Sequence, residues 1–238
     1  MALGWRFVDV TRGKAGHYWR RKSTDPFEPM AVVLTSSGTY SIPSGATTLK
    51  AWAVGSGGGQ SYAGGTAYKT WTSVSNDDSA ISFTVGVGGQ NGSAAGESTT
   101  LTFRGTTITG QGGNSAAGGG PGGSYSGGDG GANGGVGGYK DAFSFVFSSG
   151  AVGGNGTWDR TILRTPATDV SGLLDAVSLA GLKVTEDGGT DPAFGSGGGD
   201  DAENGVTKSP GIGGGGVVGN GGRGFRPGGS GAVVLYFT

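Results

Sequence analysis

Residues 110–138 read GQGGNSAAGGGPGGSYSGGDGGANGGVGG, and within them paired glycines recur at a spacing of three. The register occurs at Gly119, Gly120, Gly122 and Gly123, again at Gly127, Gly128, Gly130 and Gly131, and again at Gly134, Gly135, Gly137 and Gly138. A helix repeats every 3.6 residues and a strand every 2. A repeat of three belongs to the polyproline-II-type helix, which has three residues per turn and no internal hydrogen bonds. Such a stretch has two possible fates. It is a disordered linker, or it is a bundle of short glycine helices bonded to one another.

Composition by itself points to the linker. The 238 residues include 58 glycines and 8 prolines, a content that normally signals low complexity. Collagen is excluded, because it needs a strict Gly-X-Y register and abundant proline. Charge argues the other way: only 14% of residues are charged and the net charge is −1, so the self-repulsion of disordered chains is missing. Apolar residues are also grouped, at 40–54, 67–87, 99–108 and 232–237. The glycine tract is thus bracketed by sequence that should fold. With no cysteine, no disulfide framework can hold it. The opening MALGWRFVDV lacks a signal-peptide core and no run is long enough to span a bilayer, so neither secretion nor membrane insertion is expected. Near-neutral charge gives no electrostatic case for nucleic acid.

Residues 1–30 stand apart. They carry Trp5, Phe7, Tyr18, Trp19 and Phe27, and six basic residues against three acidic ones. Residues 5–10 and 17–21 read as two short strands about a turn. So short a piece cannot bury its own core, and aromatics with arginine are the residues that anchor interfaces. Trp5, Phe7, Tyr18, Trp19, Arg20 and Phe27 are therefore the candidate partner-docking residues, with packing on the chain's own domain as the alternative.

Strand patterns follow at 39–45, 48–54, 67–74 and 80–87, and a hairpin is expected about Arg104 and Gly105. The closing run AVVLYFT needs a sheet to receive it, since an unpaired apolar edge would aggregate. The two ends of residues 39–238 are expected to meet in one small sheet. One helix is expected over 171–180, capped by Asp169 or Ser171 and stopped by Gly181, with Leu173, Leu174 and Val177 on one face.

Read in order, SSGTYSIPSGATTLKAWAVGSGGG looks like a strand pair and TAYKTWTSVSNDDSAISFTVGVGG like a hairpin, followed by STTLTFRGTTITGQGG, the glycine tract and GGSGAVVLYFT. This order resembles the glycine-rich domains of bacteriophage tail proteins, and the tract is similar to the distal adhesins of T-even-like phage long tail fibres. The resemblance covers about residues 36–238. It implies a polyglycine-II sandwich, with loops at one end binding a host receptor and an N-terminal segment fixing the adhesin to the fibre. The expected class is mostly β and irregular, a small β-sheet closing a bundle of polyglycine-II helices. Residues 1–35 would attach, 36–110 would hold strands, 111–231 the glycine sandwich, and 232–238 the closing strand. The ordered reading fits the energetics. Glycine costs roughly 0.5–1 kcal/mol more to order than alanine, and only glycine allows the close approach that makes inter-helix N–H···O and Cα–H···O bonds dense enough to offset this.

Chemistry-bearing motifs are sparse. Gly55-Ser56-Gly57 follows a strand, but Gln60 stands where a dinucleotide loop needs glycine, and no Gly-Lys-Ser/Thr is present. The one histidine, His17, leaves no Ser-His-Asp arrangement for the domain. The carboxylate pairs Asp77-Asp78 and Asp200-Asp201 lie in turn-like sequence, where aspartates cap and solubilise. The acidic residues Glu186, Asp187, Asp191, Asp200, Asp201 and Glu203 do not follow a calcium-loop spacing. The expectation is a non-enzyme without cofactor or metal.

Aromatics in the breaks between glycine runs are the stronger signal. Phe143, Phe145 and Phe147 alternate onto one face, which is either core or an exposed binding surface. Tyr125, Tyr139, Trp158, Phe194, Phe225 and Arg226 lie at similar breaks, and together these are the candidate receptor-binding residues. The expected function is a tail-fibre or tail-tip adhesin that recognises a bacterial surface protein or glycan. It would dock on a fibre or tail protein and reside in the virion after synthesis in the host cytoplasm. The alternatives are a structural or ice-binding-type glycine protein and a fibre assembly chaperone.

Overall fold

A computed structural model describes residues 27–59, 62–90, 94–114, 122–135, 169–182, 199–201, 206–208, 212–213 and 227–238. The protein is mostly β. Its first sheet contains β1 (Met30–Leu34), β3 (Thr48–Val54), β4 (Thr66–Thr72), β9 (Gly130–Ala132) and β12 (Ala232–Phe237), in the order β1-β12-β3-β4-β9. The second contains β2 (Gly38–Tyr40), β5 (Ile81–Thr84), β6 (Thr99–Phe103), β7 (Thr106–Gly110) and β8 (Tyr125–Ser126), in the order β2-β5-β6-β7-β8. A two-stranded piece pairs β10 (Gly199–Asp201) with β11 (Val206–Lys208). Every pairing among the described residues is antiparallel.

Alternation dictates how the two large sheets meet. Leu49, Ala51 and Ala53 of β3, Val233, Leu235 and Phe237 of β12, and Trp71 of β4 face Ile81, Phe83, Leu101, Phe103 and Ile108 from the other sheet. Trp71 meets Phe103 edge-on, with ring centroids 5.5 Å apart. The first sheet is buried on its other face too, where Trp52, Val54, Ala232 and Val234 pack under Val170, Leu173, Ala176 and Val177. Strands buried on both faces read as continuous apolar runs, which explains why AWAV and AVVL have no polar alternation.

The closing strand does find its sheet. β12 lies between β3 and β1, from Ala232 opposite Val54 to Phe237 opposite both Leu49 and Met30. The sequence pattern suggested one small sheet, whereas the fold has two large ones. Nor do the expected pairs of 39–45 with 48–54 and of 67–74 with 80–87 form. β2 pairs with β5, and β3 pairs with β12 and β4. β4 and β5 lie in different sheets, so the turn at 75–78 crosses from one to the other. The reason is burial: Trp71 enters the core from the first sheet and Ile81 from the second, so they cover it from opposite sides, as neighbours in one hairpin could not.

Local signals fare better. Arg104 (φ 46°) and Gly105 (φ 70°) form the two-residue turn between β6 and β7, with both residues left-handed as a type I′ turn requires. Helix α1 (Leu173–Leu179) is shorter than expected, because Ser171 and Gly172 are left-handed. Asp169 still caps it, accepting the Leu174 N–H at 3.0 Å, and Gly181 ends it at φ 82°.

The glycine-rich segments continue the strands at one end of the sandwich. The backbone donors of residues 55–59 go in turn to Gly65 (2.8 Å), Glu97 (3.3 Å), Gly229 (2.8 Å), Tyr62 (2.8 Å) and Ala94 (3.0 Å). The first and fourth donors thus reach one segment and the second and fifth another, so the direction of bonding repeats every three residues. Gly89 and Gly113 donate back to the carbonyls of Gly57 and Ser56. The segment 55–59 is therefore bonded to five others: 62–65, 86–89, 94–97, 110–114 and 228–231. All but one of its residues are glycine, and Ser56 is fully buried, with Oγ 2.9 Å from the Val87 carbonyl and 2.8 Å from that of Glu97.

Within the triplet tract, Gly123 and Gly134 join this network through bonds to Ala63 and Gly123 respectively. The middle triplets do not form separate glycine helices. Gly127 (φ 72°) and Gly128 (φ 76°) make a turn, and Gly130 and Gly131 lie in β9, paired to Tyr68 and Ala67. The turn carries the chain from the second sheet to the first, closing the side of the sandwich. The outer triplet members Gly119, Gly120, Gly137 and Gly138 lie outside the described residues.

Candidate functional site

The register of the strands gives the molecule two distinct ends. At one end, called the base, Met30 pairs with Phe237, Thr72 with Thr48, and the Arg104–Gly105 turn joins Phe103 to Thr106. The Thr238 carbonyl accepts the N–H groups of Thr47 and Thr48, both at 2.8 Å. At the other end, β3, β5, β7 and β9 run out into glycine-rich segments, and β4, β6, β8 and β12 are entered from them.

The side chains at the far end are few, and none of those described is a lysine or arginine. Gln90 is exposed and donates from Nε2 to the Gly88 carbonyl at 2.7 Å. Asn114 and Asn133 are exposed, and Val87 is half exposed. The nearest acid, Glu97, accepts the Val87 N–H at 3.1 Å. The exposed polar side chains of this end include the amides of Gln90, Asn114 and Asn133 and the Glu97 carboxylate. Among the described residues, no group of three histidine, cysteine, aspartate or glutamate side chains comes together.

The base and side carry the charge. Arg104 holds Asp78 in a forked pair, and its guanidinium, followed by the Ser75 N–H, keeps the Asp78 carboxyl below the usual carboxylate range; the same pairing raises Arg104. On the side, Asp129 accepts the Thr70 N–H at 2.8 Å and lies 3.1 Å from Lys69 Nζ. The Thr70 N–H is the larger cause of its lowered pKa, and Lys69 adds to it. Asp78 and Asp129 are thus structural ligands of backbone and cation.

Of the candidate receptor-binding residues, only Tyr125 is described. It sits on β8 at the side of the sandwich, exposed, its ring laid over Gly131. Tyr139, Phe143, Phe145, Phe147, Trp158, Phe194, Phe225 and Arg226 lie outside the described residues. Of the docking candidates, Phe27 is half-buried at the base, against the core and beside Gly45. Trp5, Phe7, Tyr18, Trp19 and Arg20 lie outside the described residues. Asp200 and Asp201 of the acidic group fall on β10, and its other members lie outside.

Two features were not singled out from the sequence. The segment at 55–59 drew attention only as a failed nucleotide loop, yet it is the axis of the glycine network; five residues are too few to display a period of three. The outer face of the second sheet is a grid of hydroxyls. Thr39, Ser82, Thr102 and Thr107 lie in one row across the strands, and Thr84, Thr100, Thr109 and Ser126 in the next. Its signal was present as the alternation in TTLTF and TTITG. No family model and no curated protein matches this chain.

Proposed function

We propose that the protein is a phage tail-fibre or tail-tip adhesin without catalytic activity. Its glycine segments are polyglycine-II helices stacked as a sandwich, and the loops beyond them bind a bacterial surface protein or glycan. The three-residue rotation of the bonds from residues 55–59 supports the helix type, since three residues per turn is the geometry of that helix. One observation carries the functional reading. Eight strands connect to glycine segments at the same end, while the N-terminal segment enters at Phe27 and Met30 at the other. The two β-sheets separate these ends, and such a body suits a module that must hold a fibre at its base and display loops at its tip.

The test is binding of the labelled full chain to a panel of bacterial cells and to their extracted surface polysaccharides, with the phage as competitor. Saturable binding that the phage competes is expected. A protein present in virions but without cell binding would be structural. A protein absent from finished particles would be an assembly chaperone.

The hydroxyl grid favours one further reading, the ice-binding type. Its rows repeat at about 4.8 Å across the strands and about 6.8 Å along them, and it carries no charged side chain. Thermal hysteresis in the purified protein, abolished by Thr102→Lys, would support that reading; freezing indistinguishable from buffer would remove it.

A further inference from the structure

The two-ended layout has a mechanical consequence. β1 is an edge strand, held to the sheet by the five pairs from Met30–Phe237 to Leu34–Val233. Its first residue is at the base, where the N-terminal segment enters, and the glycine segments lie beyond its opposite end. A load between the N-terminal segment and the far end is therefore directed along β1. Antiparallel hydrogen bonds run perpendicular to the strands, so this load slides β1 along β12 and strains all five pairs together. Met30 and Leu34 pack into the core on one face of the strand, and Ala31 and Val33 pack on the other, so sliding must also pull these side chains from their seats.

The C-terminus lies beside Met30, because Phe237 is its partner. A load between residue 28 and Thr238 instead opens the same two strands from one end, breaking one pair at a time. The same interface should be strong in one direction and weak in the other.

We propose that β1 and β12 form a shear clamp that keeps the folded domain intact under tension between its N-terminal attachment and its far end. The anisotropy stands on the strand register alone. Its use, resisting the pull between fibre and cell, rests on the adhesin reading.

The test uses the full chain, whose lack of cysteine leaves introduced thiols as the only attachment points. Glu28→Cys combined with Gln90→Cys pulls from base to far end, as both residues are exposed. Glu28→Cys combined with a handle on Thr238 peels. Thermal midpoints matching the parent protein establish that both variants are folded. The rupture force in single-molecule pulling is expected to be several times higher in the first geometry. Equal forces, or a weaker first geometry, would overturn the clamp. No receptor enters this measurement, so failure of cell binding removes the adhesin reading alone and failure of anisotropy removes the clamp alone.

Discussion

Arg104 and Asp78 meet through two parallel hydrogen bonds, Nε to Oδ1 at 2.9 Å and Nη2 to Oδ2 at 2.7 Å. Arg104 also donates to the Thr72 carbonyl at 3.1 Å and the Ser73 carbonyl at 2.7 Å. A single side chain on a left-handed turn thus ties the second sheet to the end of β4 in the first. The fork matters as much as the charge, because lysine cannot reproduce it.

Arg104→Lys should therefore lower the thermal midpoint, and Asp78→Asn should lower it as well. The pH dependence has a definite sign. The Asp78 pKa is lowered on folding, so its contribution is present above the unfolded value near about 4 and is lost as pH falls through the folded value. Melting from pH 7 to pH 2 checks this: the gap between the parent and Asp78→Asn should be full at pH 7 and shrink below about pH 4.

Asp129 holds the crossover between β8 and β9 against β4. Asp129→Ala should lower the midpoint only slightly, because its pair with Lys69 lies at the surface and such pairs contribute about 0–1 kcal/mol. The local effect should be larger. Hydrogen exchange at Thr70, whose N–H loses its acceptor, should accelerate while exchange in β3 and β12 does not.

The glycine network should tolerate loss of a hydroxyl better than gain of a methyl. Ser56→Ala is expected to cost about 0.5–1.5 kcal/mol in denaturant unfolding. At Gly64 a Cβ would collide with the backbone carbonyls of Gly55 and Ser56, which cannot rotate aside. Gly64→Ala should cost at least the ~1–3 kcal/mol typical of overpacking.

Trp52 fastens the helix to the first sheet by donating from Nε1 to the Val170 carbonyl at 2.7 Å in a buried setting. Lys50 lies 5.4 Å from the Trp52 ring and 5.5 Å from that of Tyr68, and it bonds Ser171 at 2.7 Å. Trp52→Phe keeps a ring but strands the carbonyl, at about 1–3 kcal/mol. Amide exchange in α1 should rise while the strand cores stay protected.

Two truncations separate attachment from fold. Removing residues 1–26 keeps every strand of the two sheets, from Met30 to Phe237, and should leave the sandwich intact by circular dichroism. Removing residues 1–34 also deletes β1 and bares the edge of β12. That product should aggregate, which light scattering would register.

The elements legible in the sequence are those whose cause is local. The Arg104–Gly105 turn needs two left-handed residues in a row, and the alternation in TTLTF and TTITG marks strands with one wet face. The closing AVVLYFT announced a sheet because such a run cannot remain unpaired. Asp169 and Gly181 framed the helix, although left-handed Ser171 and Gly172 shortened it by two residues at its start. The candidate site was less legible, because aromatic breaks mark where a chain could bind and not which ends share a face. Tyr125 stands at a break in the tract, on β8 with its ring over Gly131, and the other aromatic candidates lie outside the described residues.

The sequence by itself determined that a glycine-rich chain of low charge would be bounded by strands, and it displayed a repeat of three at residues 110–138. Only the tertiary structure decided that bonding with that period centres on residues 55–59. Glycine has no side chain to choose a neighbour, so a segment such as 55–59 takes its bonding partners from whatever the surrounding strands deliver. Here eight strands in two sheets deliver their glycine continuations to one end, and a five-residue stretch with little local signal becomes the axis of the network. The pairing of β12 with β1 and β3, set by burial of apolar residues far apart in the chain, fixes which end that is.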